Sequence, residues 1–178
     1  MQTHVITSVA TLINIIPSLE NQQNKGSLFY RGEGKRFQTP CLPALYRKAA
    51  WVDRERYFYN EILHRFPEAL QGLETDLNRM VLMQHYRFPT RLLDVSDSPL
   101  VALYFAVENK ADDNEDAVVF CIKVPYKAIH YGDNNEVKKI AELLRKDSQF
   151  KLESPCDYRK VLFVKPQWRN DRIRAQQG

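Results

Sequence analysis

The sequence predicts an α+β fold, a single compact domain over residues 1–178 with N-terminal helices packed on a mixed β-sheet. Three observations carry this reading. Helical periodicities crowd the first two thirds of the chain, apolar β-branched runs gather later, and the two types alternate too rarely for a doubly wound sheet. A hydrophobic fraction of 44% with 27% charged residues suits one globular core, and six glycines in 178 residues leave no room for a low-complexity linker.

Taken in order, Ser8 is placed to cap a helix whose apolar stripe is Val9, Leu12, Ile13 and Ile16, with Pro17 expected to end it. The segment SLFYRG, short and aromatic between Gly26 and Gly32, predicts a strand. Asp53 is expected to open a second helix, in which Phe58, Ile62 and Phe66 recur every four residues until Pro67. A third helix begins near Thr75 and carries Leu77, Met80, Val81 and Gln84 on or near one face. The turn RFPT stops it, because the residue before a proline is pushed out of helical geometry.

Ser98 followed by Pro99 is an N-cap and first-turn pair, and Leu100, Leu103, Tyr104 and Val107 are expected to face the core of the helix that follows. AVVFCIKV reads as a strand buried on both faces, at the centre of the sheet. Asn134 or Asn135 is expected to cap a helix through Ile140, Leu143 and Leu144. KVLFVKP and the terminal RIRAQ predict the last strands.

Several function classes fall away. No apolar run approaches the roughly 20 residues a membrane helix needs, and the N-terminus lacks a basic leader and a cleavage site, so a cytoplasmic protein without membrane association is expected. Cys41, Cys121 and Cys156 are odd in number and widely spaced, which predicts reduced structural thiols; no metal is expected, since the four histidines show no ligand spacing. There is no phosphate loop, dinucleotide fingerprint or nucleophile elbow. The net charge of +4 is unevenly spread, basic in RKAAWVDRER and KPQWRNDRIR and acidic in ADDNED. That pattern permits an anionic ligand, and equally a solvated surface.

What remains are arginines and hydrogen-bonding side chains beside turns. Arg31 is placed either to present its planar fork to a phosphate, with Gly32 allowing a ligand near the backbone, or to make a salt bridge at a strand end. Arg91 and Asp94 are near enough to pair and pin their loop. His85 reads as a general base or as a partly buried, satisfied histidine; Ser96 and Ser98 read as ligand contacts or as loop and cap residues.

FYRGE at Phe29 to Glu33, PALYR at Pro43 to Arg47, MQHYRFPTRLLDVSDSPLVALYFA at Met83 to Ala106, DAVVFCIKV and RIRAQQG together resemble, in order, the FRG domain, named for its aromatic-Arg-Gly motif. The chain departs from that pattern at Arg87, where glycine is common, and at Val95, where tryptophan is common. The family pattern also continues past the position of Gly178, so the last strand is expected to be incomplete.

The layout is in turn similar to that of ADP-ribosyltransferases. That resemblance implies a related fold, NAD as substrate and a nucleic-acid or protein acceptor, in a toxin or phage-defence effector. By position it assigns Arg31 to phosphate, Ser96 or Ser98 to the nicotinamide ribose, and Gln176 to the late-strand site where those enzymes carry an acid. The residues implied in catalysis are Arg31, His85, Asp94, Ser98 and Gln176. Those implied in binding the nucleotide are Tyr30, Arg31, Gly32, Glu33, Gln84, His85, Thr90, Arg91, Ser96 and Ser98. Glutamine cannot stabilise an oxocarbenium-like transition state as a carboxylate does, so Asp94 or Glu33 is the stand-in, or else the domain binds a nucleotide or RNA without turnover, through Arg169, Arg172 and Trp168.

Overall fold

A computed structural model describes residues 3–20, 25–108, 114–135, 137–138, 141–142 and 161–166. The architecture is α+β, with five labelled helices and four strands in two small sheets among the described residues. Contacts divide these residues into two units. The first holds residues 3–20, 25–38, 95–108 and 114–126, and the second holds 39–94 and the described residues from 127 to 166.

In the first unit, helix α1 (Val9–Glu20) starts where Ser8 Oγ accepts the Thr11 N–H at 3.1 Å, as the sequence predicts. It does not stop at Pro17. The ring costs the helix one donor in its last turn, and Ser18 Oγ donates to the Ile15 carbonyl at 2.6 Å within the same turn. Strand β1 (Gly26–Glu33) pairs antiparallel with β2 (Val118–Pro125), with Tyr30 opposite Cys121 and Arg31 opposite Phe120. The expectation that β2 is buried on both faces is corrected: among the described residues it pairs with β1 alone, only Val124 is buried, and Cys121 is exposed. The central position belongs to β1. Its other edge bonds to Ser96, with Tyr30 N–H donating to the Ser96 carbonyl at 2.7 Å and Ser96 N–H to that of Tyr30 at 2.8 Å.

Helix α5 (Pro99–Val107) lies on β1, and its orientation reverses the predicted one. Ala102 and Ala106 are buried, whereas of the predicted stripe Leu100, Tyr104 and Val107 are 46%, 56% and 49% exposed and Leu103 is half-buried. The reason is distance. A side chain at Gly32 would put its Cβ 1.9 Å from the Ala102 carbonyl oxygen and 2.7 Å from the Ala106 nitrogen, so strand and helix backbones meet where only hydrogen and methyl groups fit. Large residues are excluded from that face whatever their hydropathy.

The second unit is held by a side-chain core. Helices α3 (Glu55–Arg65) and α4 (Asp76–His85) supply Tyr59, Ile62, Leu77, Met80 and Met83, joined by Val137, Ala141 and the partly buried Phe88, Leu92 and Val164, and the short α2 (Ala49–Val52) precedes them without a buried residue. Asp53 does not open α3: it ends α2, and α3 starts two residues later with no side-chain cap. Thr75 does cap α4, accepting the Asn78 N–H at 3.2 Å. Two short strands, β3 (Ile129–Tyr131) and β4 (Phe163–Lys165), pair in parallel. Asn135, Val137, Lys138, Ala141 and Glu142 are helical, and the Asn134 carbonyl accepts the Lys138 N–H at 3.0 Å, so that helix begins as predicted. Ile140, Leu143, Leu144 and RIRAQ lie outside the described residues.

The end of α4 explains the turn RFPT. Phe88 N–H donates to the Met83 carbonyl at 3.0 Å and Arg87 N–H to that of Gln84 at 2.9 Å, the paired bonds of a Schellman cap. Phe88 packs back on the core that contains Met83. Such a cap needs one left-handed residue, and Arg87 takes it with φ 64°, a conformation about 1 kcal/mol or more less favourable for a side chain than for glycine.

Candidate functional site

In the first unit the pairing of Tyr30 with Ser96 sets FYRGE beside the bend SDSP. The two hydroxyls of that bend hold its shape. Ser96 Oγ accepts the Ser98 N–H at 3.0 Å, and Ser98 Oγ accepts the Val101 N–H at 3.4 Å to cap α5. Pro99 at the first helical position needs no donor, so the sequence Ser-Asp-Ser-Pro folds into this turn for reasons internal to it.

Alternation along β1 puts Arg31 and Glu33 on the face opposite Gly32 and α5. Arg31 Nε donates to Glu33 Oε1 at 3.2 Å, with side chains 18% and 5% exposed. The guanidinium is thereby oriented by a buried carboxylate on its own strand. Gly32, expected to admit a ligand to the backbone, instead admits α5: the space its missing side chain leaves is filled by the Ala102 and Ala106 backbone. Tyr30 is buried and its phenol is pushed up to about 12, by burial first and then by Cys121 and Glu20.

The remaining candidates lie in the second unit, where they form two groups. Gln84 Nε2 donates to Asp94 Oδ2 at 2.8 Å, and Gln84 Oε1 accepts from the buried Thr90 Oγ1 at 3.2 Å, so one amide ties the exposed carboxylate to the loop. The expected Arg91–Asp94 pair does not form. Arg91 Nε donates to both Glu55 oxygens at 2.7 and 2.6 Å, and its Nη1 donates to the Tyr46 hydroxyl at 2.9 Å. With the Arg91 side chain 5% exposed and that of Glu55 9%, this is a buried lock on the loop. Burial pushes the Glu55 carboxyl up while the Arg91 bonds pull it down; burial also raises Tyr46, against the opposing pull of Arg91.

His85 was expected to be partly buried if structural. It is exposed at the end of α4, edge-on to Tyr86 at 5.4 Å. Gln176, with Trp168, Arg169 and Arg172, lies outside the described residues.

Sequence reasoning missed Glu55 and Tyr46. The available signal was Glu55 standing four and seven residues before Tyr59 and Ile62, an acid on the buried face of α3 that had to find a cation. Among the described residues, no group of three or more histidines, cysteines and carboxylates is arranged to hold a metal ion. No described helix is long and apolar enough to cross a membrane.

The chain matches the FRG domain over residues 26–115, which is 90 of its 178 residues. The matched stretch runs from the start of β1 through α5 and ends just before β2. Neither the curated proteins nor the solved structures include a match to this chain.

Proposed function

Since the chain belongs to the FRG domain family, we propose that it is an NAD-utilising enzyme of the ADP-ribosyltransferase kind, acting as a toxin or defence effector in bacterial and phage conflict. The observation that carries this reading is the Tyr30–Ser96 pairing, which seats a strand bearing an oriented arginine directly beside a hydroxyl-rich bend and a helix N-terminus. Arg31 is assigned to the dinucleotide phosphates, with Glu33 as the group that fixes its direction. Ser96 and Ser98 are assigned to the nicotinamide ribose, where an oxygen that already accepts an N–H still has a proton to donate.

In the assigned reaction the ribose–nicotinamide bond breaks and its electron pair leaves with the ring, neutralising the pyridinium. Water or an acceptor hydroxyl bonds to the ribose carbon and gives up its proton.

Incubation with NAD labelled in its adenylate half tests the proposal, with both protein and nucleic acid offered as acceptors. Nicotinamide release, abolished by Arg31→Ala, is the expected result. No release and no labelled acceptor would overturn it. The hydroxyls already engaged in the SDSP turn favour a second reading, a module that binds a nucleotide or RNA without turnover. That reading predicts that NAD raises the melting temperature while nicotinamide release stays at background.

A further inference from the structure

A second surface, in the other unit, is built by the ends of α3 and α4. Phe66 follows α3 and Tyr86 follows α4, and their rings stack at 5.8 Å with only 10° between their planes. Core aromatics stack to bury themselves, but these two remain 41% and 46% exposed. Part of each residue is thus left in water, where a planar partner could cover it.

The residue beside Tyr86 is the more informative. Arg87 occupies the left-handed position of the Schellman cap, which glycine would take without strain, and its side chain is exposed. Among the described residues no carboxylate pairs with it. The left-handed backbone therefore carries a cation where a side chain is strained, and sets it at the surface next to Tyr86 in the chain. His64 and Arg65 end α3 on the same side of Phe66 in the chain, although Arg65 is held by Glu61 at 2.7 Å and so adds little free charge. Helix C-termini ordinarily repel anions, but the last carbonyls here are occupied: those of Ile62, Leu82, Met83 and Gln84 accept the N–H groups of Phe66, Tyr86, Phe88 and Arg87.

A flat aromatic pair offers a face to an unpaired base, and an adjacent guanidinium offers its fork to the phosphate that follows. We propose that Phe66, Tyr86 and Arg87 form a binding site for single-stranded nucleic acid. The site shares no residue with the SDSP bend or with Arg31, so it stands whether or not the chain turns over NAD. A duplex would not satisfy it, because its bases are already stacked.

Fluorescence anisotropy with a labelled mixed-sequence 12-nucleotide RNA, its DNA equivalent and a DNA duplex tests this on the full chain. Single strands are expected to bind and the duplex to bind at least tenfold more weakly. Tyr86→Ala should weaken single-strand binding about tenfold or more, the range expected for loss of one base stack. Arg87→Gly separates binding from folding: its melting temperature should rise, while its affinity falls and the slope of log K against log salt becomes shallower by roughly 0.7. Equal binding of duplex and single strand, or unchanged binding in both Tyr86→Ala and Arg87→Gly, would overturn the proposal. So would a loss seen in Arg169→Ala and Arg172→Ala alone.

Discussion

Arg31 and Arg91 come from the two stretches of sequence that stand out most, and each meets a glutamate, yet the two pairs do different work. Arg91 grips both oxygens of Glu55 and the hydroxyl of Tyr46 with its side chain 5% exposed. The bond from Arg31 to Glu33, an acid two residues away, is longer at 3.2 Å, and the Arg31 side chain is 18% exposed. Glu55 is 36 positions distant in the chain, so the Arg91 pair ties together parts of the second unit that nothing local would join. The Arg31–Glu33 bond lies within a single strand. The Arg91 pair is a long-range tie buried at both ends; the Arg31 pair is local, with a buried carboxylate and a partly exposed guanidinium.

The comparison is broken most directly at Arg91. Arg91→Ala leaves the Glu55 carboxylate buried without its cation, and about 3 to 5 kcal/mol of stability should be lost in urea denaturation. Glu55→Gln should cost less, since an amide still accepts from the guanidinium. If Arg91→Ala proved no more damaging than an exposed substitution, the lock would have to be discarded and Arg91 returned to the list of ligand contacts.

Next in size is Gly32→Ala, which tests what holds the first unit. Its methyl would meet backbone atoms on α5 that cannot rotate away, so about 2 to 3 kcal/mol should be lost. This contact shows why α5 turns its small face, and not its large one, to the strand. In VALYFAV, periodicity alone offers two faces, one of large residues and one of Ala102 and Ala106, and hydropathy favours the large one. The choice is made by a glycine some 70 residues upstream, through a backbone approach that no local pattern encodes. The caps at Ser8, Thr75 and Ser98 were legible for the opposite reason: each is settled within three residues by one hydroxyl and one N–H. The candidate site divides in the same way. The SDSP turn is local and readable, whereas the Glu55 partner of Arg91 is not, because long-range pairing leaves only the trace of an acid on an apolar face.

Tyr30 gives a smaller effect, on the strand that carries Arg31. Its phenol is pushed up to about 12 from an ordinary 10, mainly because burial disfavours the anion. A raised pKa means that the associated stability is complete below pH 10 and is lost as pH rises toward 12. That loss amounts to about 2 to 3 kcal/mol. Tyr30→Phe should therefore flatten the alkaline limb of a stability profile between pH 10 and 12. Tyr59 is raised as well, by burial first and by its bond to Asp76, so part of the limb should persist in the variant. An unchanged limb would place the strain of alkaline unfolding outside β1.

The smallest effect on stability, and the one that sharpens the contrast between the two arginines, is expected from Arg31→Ala. The guanidinium is partly exposed, but the Glu33 carboxylate it leaves behind is buried, so about 1 to 2 kcal/mol should be lost and the melting temperature should fall less than in Arg91→Ala. Glu33, left buried, sets the upper end of that range. On the proposed NAD reading, a ligand at about 100 times its Kd should add roughly 2.7 kcal/mol to the wild type, and the same variant should lose that increment. Arg91→Lys, which keeps the charge but not the bidentate fork, should lower the melting temperature without ligand and keep the increment NAD adds. A wild-type increment that survives in Arg31→Ala would show that this guanidinium is held for the strand alone, and the difference drawn between the two pairs would then be one of degree.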